Sequence, residues 1–324
     1  MKKFFTAFAS ACVLATLSLA PSLSRAQGFP EKEIRIVTGF PAGSAAELSL
    51  RALVHSAQKY VDKPLIIINK PGGGQSIAMQ ELISAPADGY TIGMVTDTFI
   101  GMTYYQYKLR FEADDIQPMV GYAQFRHVLF VKADSPYRKY EDFVAQAKRE
   151  PVTYGGTGVG TTPDMLGKIF ARALGLKLTY IAFKGSNEYV PSVMGGHVTS
   201  GIVDISGVAK QLEQGNLAGV VVFGNERLAE FPNIPTTAEK GVKTDLSMFN
   251  SVLTIVANRK APADRTRLLQ EAFTKAANDP EFRKSAAAAG LHAAVFDSAQ
   301  LPKRIEAARQ LSIPLMKEMN LLAN

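Results

Sequence analysis

Two glycine-bearing loops in this 324-residue chain carry the residue types that hold an anion without a formal counter-charge. The first is Gly155-Gly156-Thr157-Gly158-Val159-Gly160-Thr161-Thr162, with Pro163 placed for the first turn of a helix. Its glycines miss the G-x-G-x-x-G spacing, and no G-K-[ST] follows, so neither a dinucleotide fingerprint nor a P-loop is present. A Gly/Thr loop entering a helix N-terminus offers backbone N–H groups and hydroxyls, which suit a carboxylate or another small anion. The second loop is Phe40-Pro41-Ala42-Gly43-Ser44, with Glu47 one turn into the helix beyond it. Glu47 is placed either to stabilise that helix start or to face a ligand amine or water. For both loops the plainer alternative is an ordinary strand-to-helix turn. Arg126 beside His127 is a candidate for bidentate contact with a carboxylate. His55, His127, His197 and His292 have no metal-ligand spacing. No G-x-S-x-G, H-E-x-x-H or S-x-x-K occurs, and no acidic pair is placed for glycoside chemistry.

The elements around these loops read as α/β. Ile34 to Val37 is a short strand, and a helix is predicted over Ala45 to Tyr60, its apolar side carrying Leu48, Leu50, Leu53, Val54 and Ala57. Pro64 to Ile68 and Tyr90 to Thr96 are further strands, separated by a helix from Gln75 to Ser84. This alternation predicts a parallel sheet with ligand loops at the carboxyl ends of its strands. A second unit follows: strands at Val152 to Tyr154, Leu178 to Phe183, Val198 to Asp204 and Gly219 to Phe223, with helices between them. A last strand covers Ser251 to Ala257, and Ala263 to Leu322 reads as almost entirely helical. No internal repeat is apparent.

Composition narrows the class. The chain is 47% hydrophobic and 20% charged, ordinary for a folded protein long enough for two domains. Residues 1–26 read as a secretory signal peptide: Lys2 and Lys3, an uncharged apolar run from Phe4 to Leu19, Pro21, and Ser24-Arg25-Ala26 before the expected cut. The one cysteine, Cys12, lies in that leader, so disulfides, thiolate catalysis and cysteine-bound metals are not expected in the mature chain. Losing Lys2, Lys3 and Arg25 lowers the formal charge from +7 by three, and the remaining basic residues are scattered. Nucleic acid is not an expected partner.

Taken in order, the loops resemble one family. Phe40-Pro41-Ala42-Gly43, Asn69-Lys70-Pro71-Gly72 with Gly74, Asp88-Gly89-Tyr90-Thr91, Tyr154 to Gly160, Phe183-Lys184-Gly185-Ser186, Gly195-Gly196-His197-Val198 and Pro232-Asn233-Ile234-Pro235-Thr236 run across nearly the whole mature chain. The chain resembles the TctC or Bug periplasmic solute-binding proteins, which serve tripartite tricarboxylate transporters. The resemblance implies a type II periplasmic-binding fold, two doubly wound α/β lobes with a ligand cleft between them. Lobe 1 would comprise 27–122 and 227–324, lobe 2 residues 123–226, with the helical tail on lobe 1. It implies a small organic carboxylate ligand, dicarboxylate or aromatic, membrane transporter subunits as partners, a monomer in the periplasm, and neither cofactor nor metal. Carried over by motif, the ligand residues are Phe40, Pro41, Ala42, Gly43 and Ser44 on one side. Gly158, Gly160, Thr161, Thr162 and Asp204 lie on the other, with Lys184 and Ser186 beside them. Two departures from the family pattern, Ser44 and Glu47, bear on the substrate, as does the lack of any Trp. Phe99 and Phe249 are candidate walls for an aromatic acid. The competing readings are a sensor subunit for a signalling partner and an exported hydrolase.

Overall fold

The computed structural model describes residues 28–323, so the expected leader lies outside the described residues. In chain order the first part gives β1 (Ile34–Thr38), α1 (Ala45–Ala57), β2 (Leu65–Asn69), α2 (Ser76–Ser84), β3 (Thr91–Thr96), α3 (Asp97–Gly101) and β4 (Ile116–Gln124). The middle gives β5 (His127–Lys132), α4 (Tyr140–Arg149), β6 (Val152–Thr157), α5 (Thr162–Leu174), β7 (Leu178–Phe183), α6 (Ser186–Met194), β8 (Ser200–Asp204), α7 (Ala209–Glu213) and β9 (Leu217–Val222). The rest is β10 (Val252–Asn258), α8 (Ala263–Asn278), α9 (Pro280–Ala288), β11 (His292–Phe296) and α10 (Gln300–Glu318).

These strands form two sheets, β11-β4-β10-β3-β1-β2 and β7-β6-β8-β5-β9. In the first, β1 runs parallel to β2 and β3; in the second, β6 runs parallel to β7 and β8. The strands that lead into or out of each sheet, β4, β5 and β10, pair antiparallel. A chain that crosses between sheets through only Phe125 and Arg126 reverses its sense relative to the wound strands, so each sheet is mixed. Helices cover both faces of each sheet, as a parallel core buried on two sides requires. Leu50, Leu53 and Ala57 of α1 and Leu269 and Phe273 of α8 pack on one face of the first sheet, Met79 and Leu82 of α2 and Phe99 of α3 on the other. Leu48, grouped with the apolar face of α1 by spacing, is half exposed instead.

Two features depart from the expected tail. His292–Phe296 is a strand on the edge of the first sheet rather than helix. The last helix, α10, does not confine itself to lobe 1: Ile305 joins the first-sheet core, whereas Met316 is fully buried in the core of the second. Nineteen residues at about 1.5 Å each give a rod roughly 28 Å long, enough to span both. Phe99 and Phe249 are likewise fully buried core, not pocket walls.

The crossovers are tied to one another. Phe125 N–H donates to Ser251 O (2.9 Å) and Phe223 N–H to His127 O (2.9 Å). Asn250, buried between them, accepts from His127 N–H at 3.0 Å, donates to Phe223 O, and receives Gln124 Nε2 on its own carbonyl at 3.1 Å.

Candidate functional site

The carboxyl ends of the wound strands face each other across a cavity of about 430 Å³. From the first sheet it is lined by Phe40 after β1, Gln75 before α2, Thr96 and Thr98 after β3, and Gln106. From the second come Thr157, Gly160, Thr161 and Thr162 around the start of α5, Ser186 at the start of α6, and Asp204 closing β8. Phe125, His127 and Ser251, on the crossovers, form the floor. This is where α/β sheets collect ligands, because strand ends and helix N-termini converge there.

Each lobe's loop is braced by the same device. Glu47, fully buried one turn into α1, accepts Gly43 N–H at 2.9 Å, and Arg51 one turn further lies 2.6 Å from its other oxygen. Asp164, fully buried in α5, accepts Gly160 N–H at 2.8 Å, and Lys168 lies 2.7 Å from its other oxygen. Glycine, carboxylate and cation therefore recur at four-residue steps in both lobes, G-x₃-[DE]-x₃-[KR], a short repeat hidden in an otherwise non-repetitive chain. The spacing places all three groups on one line down the helix. Glu47 is thus a strut of its loop and does not line the cavity.

The glycine loop of the second lobe differs from the simplest anion cradle. Gly160, at φ +77°, gives its N–H to Asp164 and its carbonyl to Gln106 Nε2 (2.7 Å), which reaches over from the first lobe. Gly158 N–H donates to Phe183 O, and Gly158 O accepts Thr161 Oγ1 (2.9 Å) and Tyr180 OH (2.6 Å). What the loop presents is the start of α5. Thr161, the N-cap, turns its hydroxyl to Gly158 and caps no amide of the first turn. The positive end of a 13-residue helix is therefore left open to a ligand.

Of the residues expected to bind, Phe40, Gly160, Thr161, Thr162, Ser186 and Asp204 are brought together in the cavity. Pro41, Ala42 and Gly43 are exposed and, with Ser44, Gly158 and Lys184, lie outside its lining. Ser44 instead caps α1, accepting Glu47 N–H at 3.3 Å. His127 faces the cavity, but Arg126 turns away from it. Sequence reasoning missed Gln75, Thr96, Thr98 and Ser251. Gln75 is locked to Thr96 by two bonds of 3.0 Å, and the hydroxyls of Thr98 and Ser251 meet at 2.7 Å. The one signal for this group was Thr96 to Thr98 at the carboxyl end of a strand.

The cavity has a definite electrostatic character. No Lys or Arg lines it among the described residues, and Asp204 is its only carboxylate. Asp204 accepts Arg126 N–H (2.7 Å) and Ser206 N–H (3.1 Å), with the Ser206 hydroxyl also bonded to it. Burial nevertheless pushes its carboxyl above the usual range, while His127 beside it pulls the other way. Burial also holds the His127 imidazole below its ordinary value. With Asn250 Oδ1 accepting the backbone N–H of His127, Nδ1 at 3.2 Å is assigned as a second donor to it. Recognition here rests on hydroxyls, amides and a helix end, with Phe40, Phe125, Tyr107 and Tyr189 as apolar walls. No cluster among the described residues could hold a metal ion.

Comparison with known proteins fits this arrangement. The family model of TctC, the tripartite tricarboxylate transporter family receptor, matches residues 50–321. The UPF0065 protein of the gbd 5′ region of Cupriavidus necator is 32% identical over 282 residues, 86% of this chain and 85% of the relative. A TctC solute-binding protein from Polaromonas, solved without ligand, superposes with a TM-score of 0.78 at 21% identity, covering 88% of this chain and 99% of that one. An R. palustris protein with adipate superposes with a TM-score of 0.74 at 20% identity, covering 90% of this chain and 99% of that one.

Proposed function

The chain belongs to the TctC family of tripartite tricarboxylate transporter receptors, periplasmic solute-binding proteins rather than enzymes, and from that premise we propose that it captures an organic carboxylate for such a transporter. The observation that carries the ligand class is the open N-terminus of α5 in a cavity whose other polar groups, apart from Asp204 and His127, are neutral hydroxyls and amides. A carboxylate seated there is held by dipoles and hydrogen bonds in a partly dry site, where each good donor counts for more than in water. The adipate held by the R. palustris protein is of this class.

Asp204 adds a constraint. A second ionised group of the ligand placed against it would meet a like charge, so the ligand presents a hydrogen-bond donor or an apolar edge there. The aromatic walls suit a linear dicarboxylate or an aromatic acid. Closure turns the two sheets about Phe125-Arg126 and Asn250-Ser251, and the closed monomer is what the membrane subunits receive. Export by the leader over residues 1–26 puts the protein in the periplasm.

The test is a thermal-shift and calorimetric screen of ligand-free protein against dicarboxylates, citrate, acidic amino acids and benzene carboxylates. Ligand at a hundred times its dissociation constant adds about 2.7 kcal/mol of stability. A shift confined to one acid class names the solute. Binding of ammonium or sugar ligands, with no acid shifting the protein, overturns the reading.

A further inference from the structure

Side chains alternate along the extended crossovers. Phe125, His127 and Ser251 face the ligand cleft; Gln124, Arg126 and Asn250 face the opposite way, into a second cavity of about 460 Å³. The two cavities share no lining residue, and their charge is opposite in kind. The rear one gathers Arg126, Arg283, Arg304 and His292 against one lining carboxylate among the described residues, Glu226. Arg304 is committed, with Nε 3.1 Å from buried Asp97 and Nη2 donating to Asn250 O. The other two guanidinium groups have no close carboxylate among the described residues, Arg126 buried and Arg283 exposed. Arg126 is only 5% exposed; its Nη2 donates to the Glu226 carbonyl, its Nη1 lies 3.7 Å from a Glu226 carboxylate that is 78% exposed, and its buried Nε has no partner among the described residues. Arg283 donates to Asn278 Oδ1 at 3.0 Å, and among the described residues no carboxylate lies within 4.0 Å of it.

A buried guanidinium with an idle donor and a loosely held counter-ion is an energetic liability that a forked oxyanion removes, by two parallel hydrogen bonds and by charge. We propose that the rear cavity is a second anion site, which takes a small oxyanion, a carboxylate or inorganic phosphate, between Arg126 and Arg283. The walls come from both lobes: Arg126 and Gly224 to Glu226 on one side, Arg283, His292 and Arg304 on the other. The occupant therefore bridges the lobes behind the hinge. The site is separate in space from the front cleft.

The side-chain Nε–H resonance of Arg126, followed by NMR while the protein is titrated with sodium phosphate and, separately, sodium acetate at fixed ionic strength, tests it. A saturable shift is expected with at least one anion, and the tighter of the two identifies the chemistry. Arg283→Gln, a change on an exposed helix surface that leaves the fold intact, should weaken that binding about tenfold, the loss of one charge-assisted contact. Three outcomes overturn the proposal: no saturable shift, a shift unchanged in Arg283→Gln, or movement confined to the Thr161 and Thr162 amides, which would put the anion in the front cleft.

Discussion

Glu47 and Asp164 hold the same office in the two lobes, and each separates bracing from ligand contact by substitution. Asp164→Ala leaves Gly160 N–H without its acceptor and should cost about 1–3 kcal/mol in urea denaturation, because the vacated amide is at the edge of a packed loop. Asp164→Asn keeps an oxygen for that amide. Solute affinity measured by calorimetry should fall in the alanine variant and stay near the parent value in the asparagine variant; equal losses would mean that the carboxylate itself touches ligand. The sequence made the glycine loops visible because Gly158 and Gly160 need φ near +75°, which few other residues tolerate. It did not reveal that both amides are taken internally, since the acceptors, Asp164 and Phe183 O, are chosen by tertiary geometry. Gln75 and Ser251 were illegible for the same reason: their polar side chains acquire meaning only when the fold brings Gln75 to Thr96 and Ser251 to Thr98.

At the level of elements, the wound strands and their helices were readable from apolar runs and turn residues, whereas the crossovers were not. Asn250 has no local signature, yet its side chain joins both crossovers. Asn250→Ala strands the His127 N–H and the Phe223 carbonyl, two buried backbone groups, and should lower stability by about 2–5 kcal/mol. Equilibrium unfolding followed by circular dichroism checks this; a loss under 1 kcal/mol, within roughly the range of an ordinary surface change, would show that the crossovers hold without it. The edge strand β11 escaped notice because HAAVF is short and lies between helical stretches. The reach of α10 was equally hidden. Its apolar positions are periodic, but periodicity says which side is buried, not that Ile305 and Met316 end in different cores.

For the whole molecule, the buried histidine at the crossover sets an acid limit. Burial keeps the His127 imidazole neutral in the folded protein, below its ordinary value of 6.5, whereas the unfolded chain protonates it normally. The unfolded state thus binds more protons as pH falls, so this contribution is complete above about 6.5 and is lost as pH drops through the lowered folded value. His127→Gln removes the imidazole. Melting temperatures across the acid range should therefore fall more steeply for the parent protein than for the variant, and parallel curves would show that His127 carries no such linkage.

That no lysine or arginine lines the front cavity among the described residues bears on the speed of capture as well as on selectivity. Walls without cations do not focus a field on an approaching anion, which leaves only the diffuse field of the scattered surface charges to steer it. Association rates from stopped-flow mixing should then be nearly flat with added sodium chloride, where a steered site would slow sharply. A scavenger built this way works at the same pace in dilute and in briny surroundings.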